Sequence, residues 1–433
     1  MATVFPTGNG ARTSDIFTVD GVPLKVKLKR AERWAKIRAI GLIAPLFLFL
    51  MVSFVVPIFT MLWRSVENPE IGLVLPRTAA LMQVWDGQEF PPNETLAVIV
   101  EEFIQGVEDK TIGKAAKRLN YHVAGYRSLV MKTANRLRRA AKTEGLETLV
   151  ADPNLIERFK ALDARWGERK YWAIMKQASP PHTAFYLLQS VDRDFDPDDN
   201  IVPVDEHRAI HVDILWRTVF ISVNVTIICL LLGYPIAYLL AVLPTRKSNL
   251  LILLLLLPFW TSLLVRTTAW LVLLQNEGLV NDIAIVLGVW DDPVQLVRNR
   301  LGVYIAMVHI LLPFMVLPMF SVMKGIDPYH MRAAASLGAN PLRAFLKVYF
   351  PQTIPGVGAG VLLVFILSLG YYITPALVGG PRDQMLSYFI AFHANNTVNW
   401  GLAAALSLVL MCCVVIFFAM YQRLVGVGNV KMG

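Results

Sequence analysis

Seven histidines, three cysteines and scattered acids are the residues of this 433-residue chain with obvious chemical potential. His207 and His211 stand four apart, the spacing that puts two metal ligands on one helix face, and Glu206 lies beside the first. A zinc-hydrolase helix carries its glutamate between the histidines, and no third ligand accompanies this pair. The two therefore read as a solvated junction into the apolar run that follows, and neither a metal site nor a catalytic residue is expected. Cys229, Cys412 and Cys413 all fall in apolar runs, so the large hydrophilic segment contains no cysteine and no disulfide framework. The chain lacks a GxxxxGK[ST] loop, so it cannot cradle nucleotide phosphates in that way. It is expected to bind no cofactor, and any ATP and Mg must sit on another subunit.

Arg266 is the single charge between Lys247 and Gln275, with Trp260 and Trp270 to either side. A charge at the bilayer centre costs roughly 3 kcal/mol or more, so an intramembrane ionisable residue marks a functional site by default. Tyr371 and Tyr372 lie in a second apolar stretch. Aromatic faces can hold an ammonium group by cation–π attraction. Trp260, Arg266, Trp270, Tyr371 and Tyr372 are thus the candidate pathway residues. The aromatics equally suit membrane packing, and Arg266 equally suits a structural pair with a carbonyl or a partner's acid near the outer surface.

Composition says where these residues reside. The chain is 55% hydrophobic and 17% charged, against roughly 25% charged in soluble domains. Its net charge of +9 is accounted for by basic membrane edges, without a nucleic-acid partner. No Asp, Glu, Lys or Arg lies between Arg38 and Arg64, Arg217 and Arg246, Arg300 and Lys324, Lys347 and Arg382, or Asp383 and Arg423. The run containing Arg266 makes the sixth. Each is long enough to cross about 30 Å of hydrocarbon as a helix rising about 1.5 Å per residue. The last run exceeds a span, which places Met385 to Asn399 at the interface and starts the helix near Trp400.

The fold class is therefore an all-α polytopic membrane protein of six transmembrane helices. Lys25, Lys27, Lys29, Arg30, Arg33, Lys36 and Arg38 precede the first span. Arg246 and Lys247 join the second to the third, and Lys324, Arg332, Arg343 and Lys347 join the fourth to the fifth. By the positive-inside rule these are cytosolic, as are both termini. The basic tail before the first span is too long for a cleaved signal peptide.

Ser65 to Ile210 is different material, holding 22 of the 32 acidic and 19 of the 41 basic residues. Amphipathic periodicity predicts helices over Glu94 to Val107, Lys114 to Lys142 and Leu155 to Leu162, while the acidic stretch Asp192 to Asp199 reads as a linker. A large α-helical extracytoplasmic insert between the first two spans is expected, for docking or structural support.

The segment Asp327 to Gly356, DPYHMRAAASLGANPLRAFLKVYFPQTIPG, carries the strongest local signal. Asp327 suits an N-cap and Pro328 a first helical position. Ala333, Ala334 and Ala335 give a thin face that another surface can approach closely. Gly338 suits a left-handed stop, and Asn340 with Pro341 starts a second short helix. Pro351 and Pro355 bracket re-entry into the membrane. Such a protruding element is built for interaction.

AAASLG and VYFP in this segment resemble the EAA loop of binding-protein-dependent ABC importer permeases. Gly338, Val348 and Pro351 match that pattern, whereas Arg332 stands at the usual Glu position and Phe350 at the usual Leu. The stretches LLGYPIAYLLA, LPFWTSLLVRTTAWLVLLQNEGLVN and TIPGVGAGVLLVFILSLGYYITPALVGG are similar to the spermidine/putrescine-type subfamily, with its MetI-like fold. The resemblance implies this division: 1–36 cytosolic tail, 37–63 first span, 64–211 periplasmic insert, 212–425 permease core with the EAA loop near 327–352, and 426–433 cytosolic tail. It implies that Arg332, Ala333, Ala334, Gly338, Val348 and Pro351 couple to an ABC ATPase homodimer. A second, different permease subunit and a periplasmic substrate-binding protein would complete the assembly in the lipid of a bacterial inner membrane. The expected cargo is a small amine-containing solute, with polyamine leading and an opine or γ-aminobutyrate as alternatives. None of the six runs contains an acid to attract a polyamine.

The rival reading is a membrane-anchored sensor whose insert is a receptor. Pro235, Pro258, Pro313 and Pro375, with Gly233, Gly360 and Gly370, lie within or beside the spans, and such residues suit the moving helices of a transporter better. An integral membrane enzyme would need converging acid, base or metal groups, which the sequence does not offer.

Overall fold

The computed structural model describes residues 24–425. Residues 1–23 of the tail expected to be cytosolic, and all of 426–433, lie outside the described residues. The chain divides into two units at Met61 and Leu62. The first contains the helix Leu24–Leu50, which passes through a π-helical turn at Met51–Val55 into the helix Val56–Trp63, whose last two residues fall in the second unit. Pro57 follows that turn, and its missing N–H and bulky ring are accommodated by local widening of the helix.

In the second unit, His211–Val242, Arg300–Lys324, Pro341–Leu369 and Trp400–Arg423 are each long and apolar enough to cross a membrane. With the first-unit helix they make five, and a bent pair, Thr245–Trp260 and Leu263–Leu273, makes the sixth. The pair departs from the straight span expected of that run, because its limbs meet at 95°. Pro258 cannot donate to the helix behind it, so the α-helix ends at Leu256 and tightens to a 3-10 turn, Leu257–Trp260. Ser262 then caps the second limb, its Oγ accepting the Val265 N–H at 3.2 Å.

The second, fourth and fifth spans form the membrane core around buried Ile221, Val225, Cys229, Met307, Leu311, Met315 and Met319. In lipid there is little hydrophobic drive between helices, so close backbone approach and hydrogen bonds hold them. A Cβ at Gly360 would lie 2.9 Å from the Met315 carbonyl oxygen. Thr218 uses both roles of its hydroxyl: Oγ1 donates to the Ile214 carbonyl one turn back at 2.7 Å and accepts the N–H of distant Leu386 at 2.8 Å.

The insert between the first two spans has its own aromatic core. Its principal helices are Asn93–Glu108, Ile112–Leu119, Tyr126–Glu144, Leu155–Leu162 and Arg169–Gln177. The helix expected over 114–142 is in fact two, because Gly125 at φ 89° turns the chain between them. Trp166, Trp172, Tyr126 and Phe159 are fully buried, and their polar atoms are satisfied. Trp166 Nε1 donates to Thr133 Oγ1 at 2.8 Å, Trp172 Nε1 to the Trp166 carbonyl at 2.9 Å, and Tyr126 OH to the Tyr171 carbonyl at 2.6 Å. The Glu102 carboxylate accepts the N–H groups of Arg77 and Thr78, both at 2.9 Å, at the start of the helix Pro76–Val84.

The stretch Asp192 to Asp199 is a structured corner, not the linker its composition suggests. Arg193–Phe195 pairs antiparallel with Ile201–Pro203. Asp192 accepts the His211 and Val212 N–H groups at 3.0 and 2.8 Å, capping the second span. His207 lies in the turn before that helix, so it shares no helix face with His211, whose Nδ1 pairs instead with Asp192 at 2.9 Å.

A second join fixes the insert to the last span, which begins at Trp400 as expected. Phe185 and Tyr186 pack with Leu402, Ala405 and Leu406. Buried Arg118 lies over both insert rings, at 4.8 and 5.0 Å, and donates through Nε to Asn68 Oδ1 at 2.5 Å. A Cβ at Gly401 would fall 2.4 Å from the Tyr186 ring.

Gly401→Leu is therefore expected to destabilise this join by about 1–3 kcal/mol, the usual cost of overpacking. Faster proteolysis between Ser179 and Ile210, with the membrane core intact, is the measurement that checks it. A pH effect is expected at the neighbouring helix Leu386–Asn395, where burial first and His211 second push His393 down to about 4. A histidine held neutral stabilises above its unfolded value, near 6.5, and that contribution is lost as pH falls from there towards 4. The thermal midpoint of the solubilised chain should fall over this window, and His393→Gln should flatten the slope.

Candidate functional site

The protruding loop is built by local hydrogen bonding. Its helix is Tyr329–Ser336, one residue later than the Pro328 start expected, with Asp327 Oδ1 accepting the Tyr329 N–H at 2.9 Å. At its end Gly338 takes φ 83°, the Ala339 N–H reaches the Ala334 carbonyl at 3.0 Å, and the Gly338 N–H reaches the Ala335 carbonyl at 3.0 Å. This paired closure is the Schellman motif, which requires a left-handed residue. Asn340 Oδ1 then accepts the Arg343 N–H at 2.7 Å and restarts the helix with Pro341 at its first position.

The second short helix is not separate. Pro341–Ala344 runs through a π-helical turn, Phe345–Tyr349, into Phe350–Leu369, so it is the first part of the fifth span. Pro351 and Pro355 lie within this continuous helix and do not bracket a break. Pro351 is accommodated in the first turn after the widened one.

Aromatic packing ties the loop to the second span. Tyr238 stands edge-on to Phe345 and Tyr349, with centroids 5.8 and 5.4 Å apart, and Tyr234 OH meets Thr353 Oγ1 at 3.2 Å. The tyrosines of YPIAY are four apart, which was the available sign of a shared face.

Between the loop helix and the start of the fifth span lies a cavity of about 580 Å³, lined in part by Ala333, Ala334, Leu337, Arg343, Lys347 and Val348. Leu337 is 88% exposed at its edge. Arg332 and Gly338 are also exposed, and the Arg332 guanidinium lies 5.3 Å over the Tyr329 ring. The loop thus presents small residues and an unburied leucine beside two cations.

The pathway candidates separate into two groups. Trp270 Nε1 donates to Nδ1 of His309 on the fourth span at 3.0 Å. Arg266 lies one turn before Trp270, 5.4 Å over the Phe259 ring, and Tyr371, half-buried, follows the end of the fifth span at Leu369. Thr267 and Thr374 hydroxyls meet nearby at 3.2 Å, joining the bent span to the segment after the fifth. Trp260, by contrast, is 75% exposed, and Tyr372 is 42% exposed and lies beside Tyr388. His309 belongs with the first group, and its one sequence sign was a histidine in a run with no Asp, Glu, Lys or Arg.

Residues 219–425 match the family described as binding-protein-dependent transport system inner membrane component. The chain is 34% identical over 223 residues to the spermidine/putrescine transport system permease protein PotB of Escherichia coli (strain K12), covering 52% of this chain and 81% of that one. It is 32% identical over 226 residues to the inner membrane ABC transporter permease protein YdcU of the same organism, covering 49% and 71%. It is also 26% identical over 222 residues to the putative 2-aminoethylphosphonate transport system permease protein PhnU of Salmonella choleraesuis (strain SC-B67), covering 51% and 76%. The chain belongs to the binding-protein-dependent transport system inner membrane components: it is an ABC permease, a transport subunit and not an enzyme. The insert precedes the matched residues.

Gly338→Val should strain the left-handed closure by about 1–2 kcal/mol and fray Tyr329–Ser336. Hydrogen exchange at the Ala334 to Ala339 amides should rise at least several-fold while that of the fifth span holds.

Proposed function

We propose that this permease imports a small amine-containing solute across the bacterial inner membrane as one half of a transmembrane pair. The other half is a sister permease, an ABC ATPase homodimer carrying ATP and Mg drives the pair, and a periplasmic binding protein delivers the solute. Both termini and the Asp327–Gly356 loop face the cytosol, and the insert faces the periplasm.

One observation carries this reading: a short helix with an alanine face, closed by a left-handed glycine, protrudes beside a cavity edged by Arg343 and Lys347. A groove on an ATPase can approach such a helix closely. Because the second short helix of the loop, Pro341–Ala344, runs without a break into the fifth span, and Phe345 and Phe350 of that helix pack on Tyr238 and Tyr234 of the second, a push passed across the Gly338 turn would be delivered to the core as a rigid-body motion. In this reading Arg332, Ala333, Ala334, Gly338, Val348 and Pro351 make or position the coupling contact. Arg332 stacks on Tyr329 where the family pattern has an acid, so the contact there is not the usual ion pair.

Arg266, Trp270 and Tyr371 border the solute path on the inner side of the bent span, with Trp260 and Tyr372 towards the sister subunit. Polyamine is the leading cargo class, supported by the name of PotB, and the name of PhnU supports an amine more broadly.

Affinity purification of the tagged chain from native membranes should bring down an ABC ATPase, a second permease and a binding protein. Gly338→Val should lower ATP-driven uptake at least about tenfold, while ATP hydrolysis continues. Purification of the chain alone after crosslinking, or unchanged uptake in the variant, would overturn the assignment.

A further inference from the structure

The loop that protrudes between the fourth and fifth spans is cationic. Between Lys324 and Gly356 it carries Lys324, Arg332, Arg343 and Lys347 against one acid, Asp327. That acid is engaged locally, its Oδ1 accepting the Tyr329 N–H at the start of the helix Tyr329–Ser336. Arg332, Arg343 and Lys347 are exposed, and among the described residues none of them makes an ion pair. The three cations sit in two places. Ala333, Ala334 and Leu337 line the cavity from the helix, and Arg343 and Lys347 edge it from the start of the fifth span. At about 100° per residue, Arg332 falls on the other side of the helix, where its guanidinium lies 5.3 Å over the Tyr329 ring, itself 68% exposed. In water such a guanidinium needs no partner. A groove closing on the alanine face changes this, because Arg332 is bonded to Ala333 and the outer wall of the groove must pass over it. A covered charge without a counter-charge is strongly unfavourable. The loop has no free acid of its own to offer, so the covering surface must supply one.

We infer that the ATPase groove which seats Tyr329–Ser336 is acidic, with an Asp or Glu carboxylate set against Arg332 and further negative charge towards Arg343 and Lys347. The inference rests on the reading of this loop as the ATPase contact and names the chemistry of that contact. Stacking on Tyr329 occupies the face of the guanidinium and leaves its edge free, and the edge takes a carboxylate by paired hydrogen bonds. An ATPase with a basic groove would be turned away by like-charge repulsion, so Arg332 also sets which ATPase the permease accepts. Anionic lipid is the other source of negative charge at a cytosolic membrane edge. Arg343 and Lys347 lie on the first turns of the fifth span, within its reach, whereas Arg332 is on the side of the loop helix turned away from that span.

The test uses the complete transporter, purified with its own ATPase, sister permease and binding protein and placed in nanodiscs. Arg332→Lys combined with Lys347→Arg puts a reactive amine at position 332 and removes the one at 347. A water-soluble carbodiimide then joins that amine to a touching carboxylate, taking up the water lost as the amide forms and becoming a urea. The expected product is an amide between residue 332 and an Asp or Glu of the ATPase, located by mass spectrometry of the crosslinked peptide and absent when Lys347→Arg is made alone. Arg332→Glu restores the acid of the family pattern, yet it should lower ATPase retention and binding-protein-stimulated ATP hydrolysis at least about tenfold at equal membrane abundance. Arg332→Ala should lower them less, and changing the crosslinked acid to Lys should recover most of the Arg332→Glu loss. Retention should weaken with rising salt in phosphatidylcholine alone as much as in phosphatidylcholine with phosphatidylglycerol.

Hydrolysis by Arg332→Glu at or above the level of the unaltered transporter overturns the inference and leaves the loop as the ATPase contact. So does the absence of an amide at position 332 while the ATPase is bound and stimulated. A salt dependence that vanishes without phosphatidylglycerol overturns it too, and would assign the cations to lipid. If no ABC ATPase is recovered with the unaltered chain, the coupling reading fails and this inference with it.

Discussion

Backbone contact between the fourth and fifth spans is the constraint on which the membrane core depends. At Gly360 a single added carbon would lie 2.9 Å from the Met315 carbonyl oxygen, and at Gly356 it would lie 2.9 Å from Val322 Cβ. Apolar side chains gain little by leaving lipid for one another, so the spans hold through dispersion at short range and through hydroxyl bonds. The methionines of the fourth span fill the space this close approach creates, Met315 and Met319 against Gly233 on the second. Three spans thereby share one packed seam.

The loop inherits its geometry from that seam. It leaves the fourth span at Lys324, closes at Gly338, and is already the fifth span by Pro341. Only the hydrogen-bonded turn Leu337–Asn340 separates the protruding helix from the fifth span, and the π-helical turn at Phe345–Tyr349 lets Phe345 and Tyr349 reach Tyr238 of the second span. Small residues on the outside and aromatic rings on the inside give the element a contact face and a rigid mount.

What could be read from sequence was what local chemistry decides. Gly338 and Asn340 act within three or four residues of themselves, and their closure and cap are present as expected. Runs without charge located the spans because the cost of a buried charge needs no knowledge of neighbours. The misread features depended on distant partners. Pro258 bent a span that hydropathy alone sees as continuous, and Asp192 became a helix cap only because a hairpin brought it to His211. His309 joined Trp270 through an imidazole that no local pattern marks. The continuity of the loop with the fifth span was obscured by Pro351 and Pro355, which ordinarily signal interruption but are absorbed here beside a widened turn.

The insert is held to the membrane core at two separate places, the Asp192 cap on the second span and the Tyr186 ring against Gly401 on the last. A body fixed at one point can swivel independently of its support. One fixed to two different helices can keep both contacts only while those helices hold their mutual angle. The insert therefore acts as a brace across the outer ends of the second and last spans, and any rearrangement that opens the angle between them must either deform its aromatic core or break one of the two joins.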